Sequence, residues 1–287
     1  MKKMMSRFWH TLSITSGAII GLGIASVAAA AEDVLPALEY DLTGARLLKV
    51  NSSQLFESTN GGDSWQAIPL PEAVRTGQLV VAPAAAEQTL YIAGPSIGVQ
   101  RSDDNGDSWY RVDEGLPSRN VIAFSAHRHQ VETLYAKIAD DGIYQSDDAG
   151  ESWRKKDSGP VQPVRRLVHS DMEGSMQTVW LYAVSDDAVR LSMDCFCGWR
   201  PTGELDADTV YDVAYEFDEP ERVYVATDRG LWVSDNGGKA WLRIEGDAPE
   251  LVAITLAPEG TLYGLDRVGE LVRSNDQGRN WRAIPDA

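Results

Sequence analysis

One octet recurs along this chain, and its spacing leaves few folds open. It reads Ser58-Thr-Asn-Gly-Gly-Asp-Ser-Trp65, then Ser102-Asp-Asp104-Asn-Gly106-Asp-Ser-Trp109, then Ser146-Asp-Asp148-Ala-Gly150-Glu-Ser-Trp153. It returns as Ser234-Asp-Asn-Gly-Gly238-Lys-Ala-Trp241 and Ser274-Asn-Asp276-Gln-Gly278-Arg-Asn-Trp281. A decayed copy, Ser192-Met-Asp194-Cys-Phe-Cys-Gly-Trp199, sits between the third and the last two. The tryptophans step by 44, 44, 46, 42 and 40 residues.

A period of this length is one propeller blade of four short strands. In the third unit the strands read as 120–127, 132–138, 142–146 and 152–156, separated by His-Arg-His-Gln, by Asp140-Asp141-Gly142 and by the octet itself. The fifth unit repeats this as VYDVAYEF, ERVYVAT, GLWVS and KAWLRI. No run shows the 3.6-residue period and length of a globular helix. The expectation is an all-β chain: a six-bladed β-propeller of four-stranded antiparallel blades, with the octet as the turn between strands three and four. A seventh blade would need about forty further residues, one more period.

The first 31 residues read differently. Lys2, Lys3 and Arg7 precede an uncharged stretch from Ile14 to Val27, and then come Ala28 to Ala31. A basic start, an apolar centre and an Ala-x-Ala end describe a secretory signal peptide, cut after Ala30 or Ala31. Residues 32–287 are then a single propeller domain, periplasmic or otherwise secreted, with no membrane span once the leader is gone. The chain holds 43 acidic against 26 basic side chains, and three of the basic ones leave with the leader. That balance excludes sequence-independent nucleic-acid binding, which needs cations against phosphates. It also disfavours docking on anionic lipid by charge.

Repetition bears on chemistry too. A catalytic group is needed once, whereas six copies at one period suit a building element. In the structural reading the octet aspartate accepts bonds from its own turn, the glycine takes a left-handed conformation, and the serine ties the turn ends. The tryptophan then packs between neighbouring sheets.

The pattern Ser-x-Asp-x-Gly-x-Ser/Thr-Trp resembles the Asp-box, or BNR repeat, of sialidases, sortilin-type receptors, some large glucanases and the photosystem II stability/assembly factors. With a box in nearly every blade, the chain most resembles the last group. That resemblance implies a non-enzymatic, secreted or lumenal protein that chaperones membrane-protein assembly, with arginines on a binding face and no cofactor. The expected partner is an envelope or membrane protein. Against a sialidase-like glycoside hydrolase stands the missing Arg-Ile-Pro entry motif. The nearest string, Arg282-Ala-Ile-Pro, follows the last box. Tyr211 and Tyr215, beside Asp212 and Glu216, supply the residue types of such a site but fit a half-buried strand equally well. A purely structural repeat domain is a further alternative.

The loops opposite the boxes are where a propeller of this kind should bind. They carry Asp140-Asp141, Asp186-Asp187, Asp228-Arg229 and Asp266-Arg267, with Arg75, Arg119, Arg165 and Arg166 on the longer connections. Asp140, Arg165, Arg166, Arg229 and Arg267 are the candidate binding residues. His127-x-His129, with His169 the nearest further histidine, reads as a surface turn rather than a metal pair, and no metal site is expected. Cys195-Phe-Cys197 breaks the fourth box. A local disulfide staple is the expectation there, a redox pair the alternative, because a bridge across one residue is strained.

Overall fold

The computed structural model describes residues 35–51, 54–71, 74, 80–83, 85–172, 180–193 and 198–285. The leader, Arg75, Asp194, Cys195 and Cys197 lie outside them. Six four-stranded antiparallel sheets follow one another along the chain, each built from four consecutive strands. This is the six-bladed propeller that the octet period predicts, and its one helical segment among the described residues is the short turn Pro258–Gly260. No helix there is long and apolar enough to cross a membrane.

The inner strands are Ala37–Asp41, Val80–Pro83, Val121–Ala126, Arg166–His169, Val210–Tyr215 and Ala253–Ala257, one for each of blades 1 to 6. The second strands are buried on both faces, as in LYIAG (90–94), LYAKI (134–138) and VYVAT (223–227). They therefore lose the alternation of a one-sided sheet and read as apolar runs. Outer strands are short and exposed, two residues in Tyr110–Arg111, Arg200–Pro201 and Leu242–Arg243. Short edges of this kind give a foreign strand little to pair with.

Each of the five octets that lie wholly within the described residues joins a third strand to an outer one, and its hydrogen bonds are local. In Ser102–Trp109 the Ser102 hydroxyl accepts from Gly106 N at 2.7 Å and donates to Asp104 at 2.7 Å, while Asp104 accepts from Ser108 N at 2.8 Å. The same pattern returns around Ser146, Ser234 and Ser274. These contacts hold the Asp104 carboxyl down at about 2, chiefly through the Ser108 hydroxyl.

The octet also reaches the preceding blade. The indole N–H of Trp109 donates to Pro69 O at 2.8 Å, that of Trp153 to Val112 O at 2.8 Å, and that of Trp199 to Asp157 at 2.7 Å. Each acceptor closes the outer strand of the blade before. In these blades the octet thus fastens two sheets together, one period apart, whereas the Trp281 indole bonds Gly278 O of its own turn.

Among the described residues no strand is exchanged between the first and last blades, so the closure seen there rests on side chains. Leu38 and Leu47 of blade 1 share a buried cluster with Ala253, Leu265, Leu271 and Ile284 of blade 6. Tyr40 N donates to Thr255 Oγ1 across the seam at 3.0 Å. The octet glycine Gly62 lies against Leu271 and Ile284, as Gly150 lies against Val112 within the ring.

Candidate binding face and central channel

The inner strands bring charges from distant parts of the sequence to the axis. Arg166 opens the inner strand of blade 4. Its guanidinium pairs with Asp212 of blade 5 at 3.0 Å and with Glu39 of blade 1, on the opposite side of the ring. Asp212 also accepts from Val213 N at 2.8 Å and Ile254 N at 3.0 Å, so blade 6 is tied in as well. Burial opposes the charge of Arg166, but Asp212 and Glu39 outweigh it and raise its pKa. Burial wins at Asp212, whose carboxyl is raised despite Arg166 and the two backbone donors. Arg166, expected on the rim, thus lies inside the channel.

Around this cluster the channel retains a cavity of about 30 Å³, lined by Glu39, Phe124, Arg128, Arg166, His169 and Thr255 among others. A water needs roughly 10–15 Å³ on this measure, so one or two fit and a sugar ring does not. Arg128 lies 4.0 Å from Glu39, with its guanidinium over the Phe217 ring at 4.0 Å and Tyr215 at 5.0 Å.

The loops between second and third strands form the outer rim with the connections between blades. Arg165 pairs with Asp186. Arg229 spans Asp206 at 2.6 Å and Asp208 at 2.8 Å. Arg267 bonds Glu250 at 3.0 Å and donates to the Tyr211 hydroxyl at 2.6 Å, while that hydroxyl donates to Glu250 at 2.8 Å. Arg119 meets Asp113 at 3.2 Å. Asp228 accepts from Asp208 N and Thr209 N of the connection between blades 4 and 5, and Asp266 from Val268 N and Glu270 N of its own loop. Asp140 is exposed at its turn tip, with φ +57°. The rim therefore alternates guanidiniums and carboxylates already bonded to one another. Burial, then Glu250, raises the Tyr211 phenol, so it keeps its proton at neutral pH.

At the other end of the inner strands His129 is exposed on a bend, as a surface turn requires, but His127 and His169 are not. His127 and His169 are 3% and 4% exposed, with ring centroids 4.5 Å apart and edge to face. His127 Nδ1 accepts from His129 N at 2.9 Å and Gln130 N at 3.0 Å. Its proton therefore sits on Nε2, 3.8 Å from Asp171. Asp171 also lies 3.3 Å from exposed His129 and accepts from the Tyr215 hydroxyl at 2.8 Å. The described residues contain no group of three or more side chains arranged to hold a metal.

Burial pushes the His127 pKa down to about 4, with Asp171 opposing and His129 and Arg128 assisting. Burial and the neighbouring His127 ring push His169 well below its ordinary value. The unfolded chain therefore takes up these protons first, and stability present at pH 7 is lost as pH falls from 6.5 toward 4. His127 alone accounts for about 3 kcal/mol over that window. Urea unfolding at pH 7.5 and 4.5 should show the loss, and His127→Asn with His169→Phe should flatten it. Equal pH dependence in that double variant would refute the assignment.

No protein-family model and no curated protein matches the chain. Solved structures share its fold. The GH74 enzyme of Niastella koreensis matches with TM-score 0.60 at 15% identity, over 86% of this chain and 46% of its own. This chain thus spans less than half the length of that enzyme. A structure of YCF48 bound to D1 peptide matches with TM-score 0.56 at 17% identity, over 88% of this chain and 81% of its own. A chain of a nidogen/laminin complex gives 0.62 at 13%, over 84% and 98%.

Proposed function

We propose that this chain is a secreted, non-enzymatic Asp-box propeller that binds a protein of the cell envelope and acts as an assembly scaffold, in the manner of the photosystem II assembly factors. The observation that carries the reading is the closed channel. An ion-pair cluster fills the axis where a ligand would enter, and the face around it is a platform of exchangeable ion pairs. Such a face suits a polar protein surface, whose charges can replace partners already present. The structural neighbours seen with D1 peptide and in the nidogen/laminin complex support a binding role. The N-terminal residue pattern supports export.

The GH74 likeness keeps a glycoside hydrolase in view, but the carboxylates argue against it. Such enzymes need two carboxyl groups roughly 5–9.5 Å apart across a cleft. Asp212 is buried on Arg166. Glu216 lies four positions along the strand, roughly 13 Å away at the usual rise, and pairs with Arg222. Glu250 is held by Arg267 and Tyr211.

Capture from solubilised envelope with the mature protein tests the proposal. One defined partner is expected, with recovery reduced several-fold by Arg229→Ala plus Arg267→Ala, and no sugar release from fluorogenic sialosides or xyloglucan. Turnover abolished by Glu250→Gln would overturn it.

A further inference from the structure

Between blades 4 and 5 lies a groove of about 650 Å³, separate from the channel and from the Arg267–Glu250 part of the rim. We infer that this groove docks an extended segment of a partner protein in which a basic side chain stands next to an apolar one. The inference rests on the protein-binding role proposed above and names the chemistry of one contact.

The groove lies where the chain leaves blade 4. After the outer strand Arg200–Pro201 it turns away through Thr202 to Asp206. The half-buried ring of Trp232, on the third strand of blade 5, is left lining the gap, with Leu205 and Pro201 beside it. Trp232 and Leu205 both pack on the buried cluster between these two blades. An apolar strip at the edge of an inter-blade core is therefore open to solvent.

The walls are fixed before anything binds. Gly203 N donates to Gly238 O at 2.7 Å, and the Trp241 indole N–H donates to Thr202 Oγ1 at 3.3 Å. The Trp232 indole N–H is held by Thr227 Oγ1 at 3.2 Å. A preformed site spends little binding energy on ordering itself.

Charge selects the occupant. Asp187 and Glu204 line the groove as exposed carboxylates, whereas Asp206 is already bonded to Arg229. An extended segment answers both features. A Lys or Arg side chain meets Asp187 and Glu204, and its apolar neighbour lies on Trp232. The cation also gains from the indole face. An acidic segment stands against both carboxylates.

The test uses the full mature protein and two fluorescein-labelled peptides of alternating character, one Arg-Leu-Lys-Leu-Arg in a Gly/Ser frame and one with Glu at each basic position. The basic peptide should bind, quench Trp232 emission and weaken with salt. Glu204→Lys and Trp232→Leu should each weaken it by about tenfold, a hot-spot loss. Asp107→Lys, which makes the same charge change on the exposed octet of blade 2, should leave it within about twofold, as expected for a distant independent site. Equal weakening by Glu204→Lys and Asp107→Lys, equal binding of the acidic peptide, or no binding at all overturns the groove. Those outcomes leave capture of an envelope partner through Arg229 and Arg267 untouched. Groove-specific peptide binding without any captured partner would instead sink the assembly role.

Discussion

Arg166→Ala should be among the most destabilising single substitutions in this protein, by about 3–5 kcal/mol, the usual loss when one partner of a buried ion pair is removed. For a domain of this size that lowers the melting temperature by on the order of 10 °C. The physical reason is what stays behind. Glu39 and Asp212 are 14% and 5% exposed; Asp212 would lose its cation outright, and Glu39 would keep Arg128 at 4.0 Å. Arg166 also joins blades 1, 4 and 5, so its loss loosens the ring where no backbone connection runs.

The pH dependence of this variant separates the cluster from an ordinary hydrated rim. Without Arg166, Asp212 keeps the burial that raises its carboxyl and loses the cation that opposes it, so its folded-state pKa rises further above the unfolded one. The folded state then holds that proton more tightly, so the deficit relative to wild type shrinks as pH falls through the raised value. This is opposite in sign to the histidine effect, which removes stability toward acid. Chemical denaturation at pH 7.5 and 5 checks it. A loss below about 1 kcal/mol at pH 7.5, the ceiling for most exposed pairs, would mean that Arg166 is solvated after all.

That cluster also marks the limit of what the sequence discloses. The blades were legible because each repeats the same turn chemistry at a nearly constant step. The strand reading of the third unit, for instance, meets the observed Val121–Ala126, Leu134–Ile138, Ile143–Ser146 and Arg154–Asp157 within two residues. The axis was not legible, because Arg166 finds Glu39 127 positions away and Asp212 46 away. A guanidinium beside a loop looks the same on a rim and in a channel until the ring is closed. The histidines carried a signal that was missed. His127 and Asp171, like Tyr215 and Asp171, stand one blade period apart, and residues so spaced on inner strands become neighbours. The same rule places His169 beside His127.

Closure of the ring is the remaining point where one residue should have a large effect. Gly62 has φ +97°, a conformation that strains any residue with a Cβ. An alanine Cβ there would also fall on Leu271, closer than real Cβ contacts come, with Ile284 just behind. Leu271 is 1% exposed and cannot swing away. Strain of roughly 1–3 kcal/mol and overpacking of roughly 1–3 kcal/mol act together, so Gly62→Ala should cost roughly 2–6 kcal/mol. Gly150→Ala, with φ +96° and a Cβ against Val112, meets comparable strain between blades 2 and 3. The two should differ in where the structure opens. Blades 2 and 3 are joined by the chain, whereas blades 1 and 6 meet through side-chain packing around Leu38 and Leu271 and the Tyr40–Thr255 bond. Amide exchange in Gly62→Ala should therefore accelerate first in Ala37–Asp41 and Thr261–Leu265, while Val121–Ala126 keeps the global rate. Uniform acceleration would show that the seam is as strong as the connected interfaces, and that the octet lock, rather than chain connectivity, sets the stability of every blade junction.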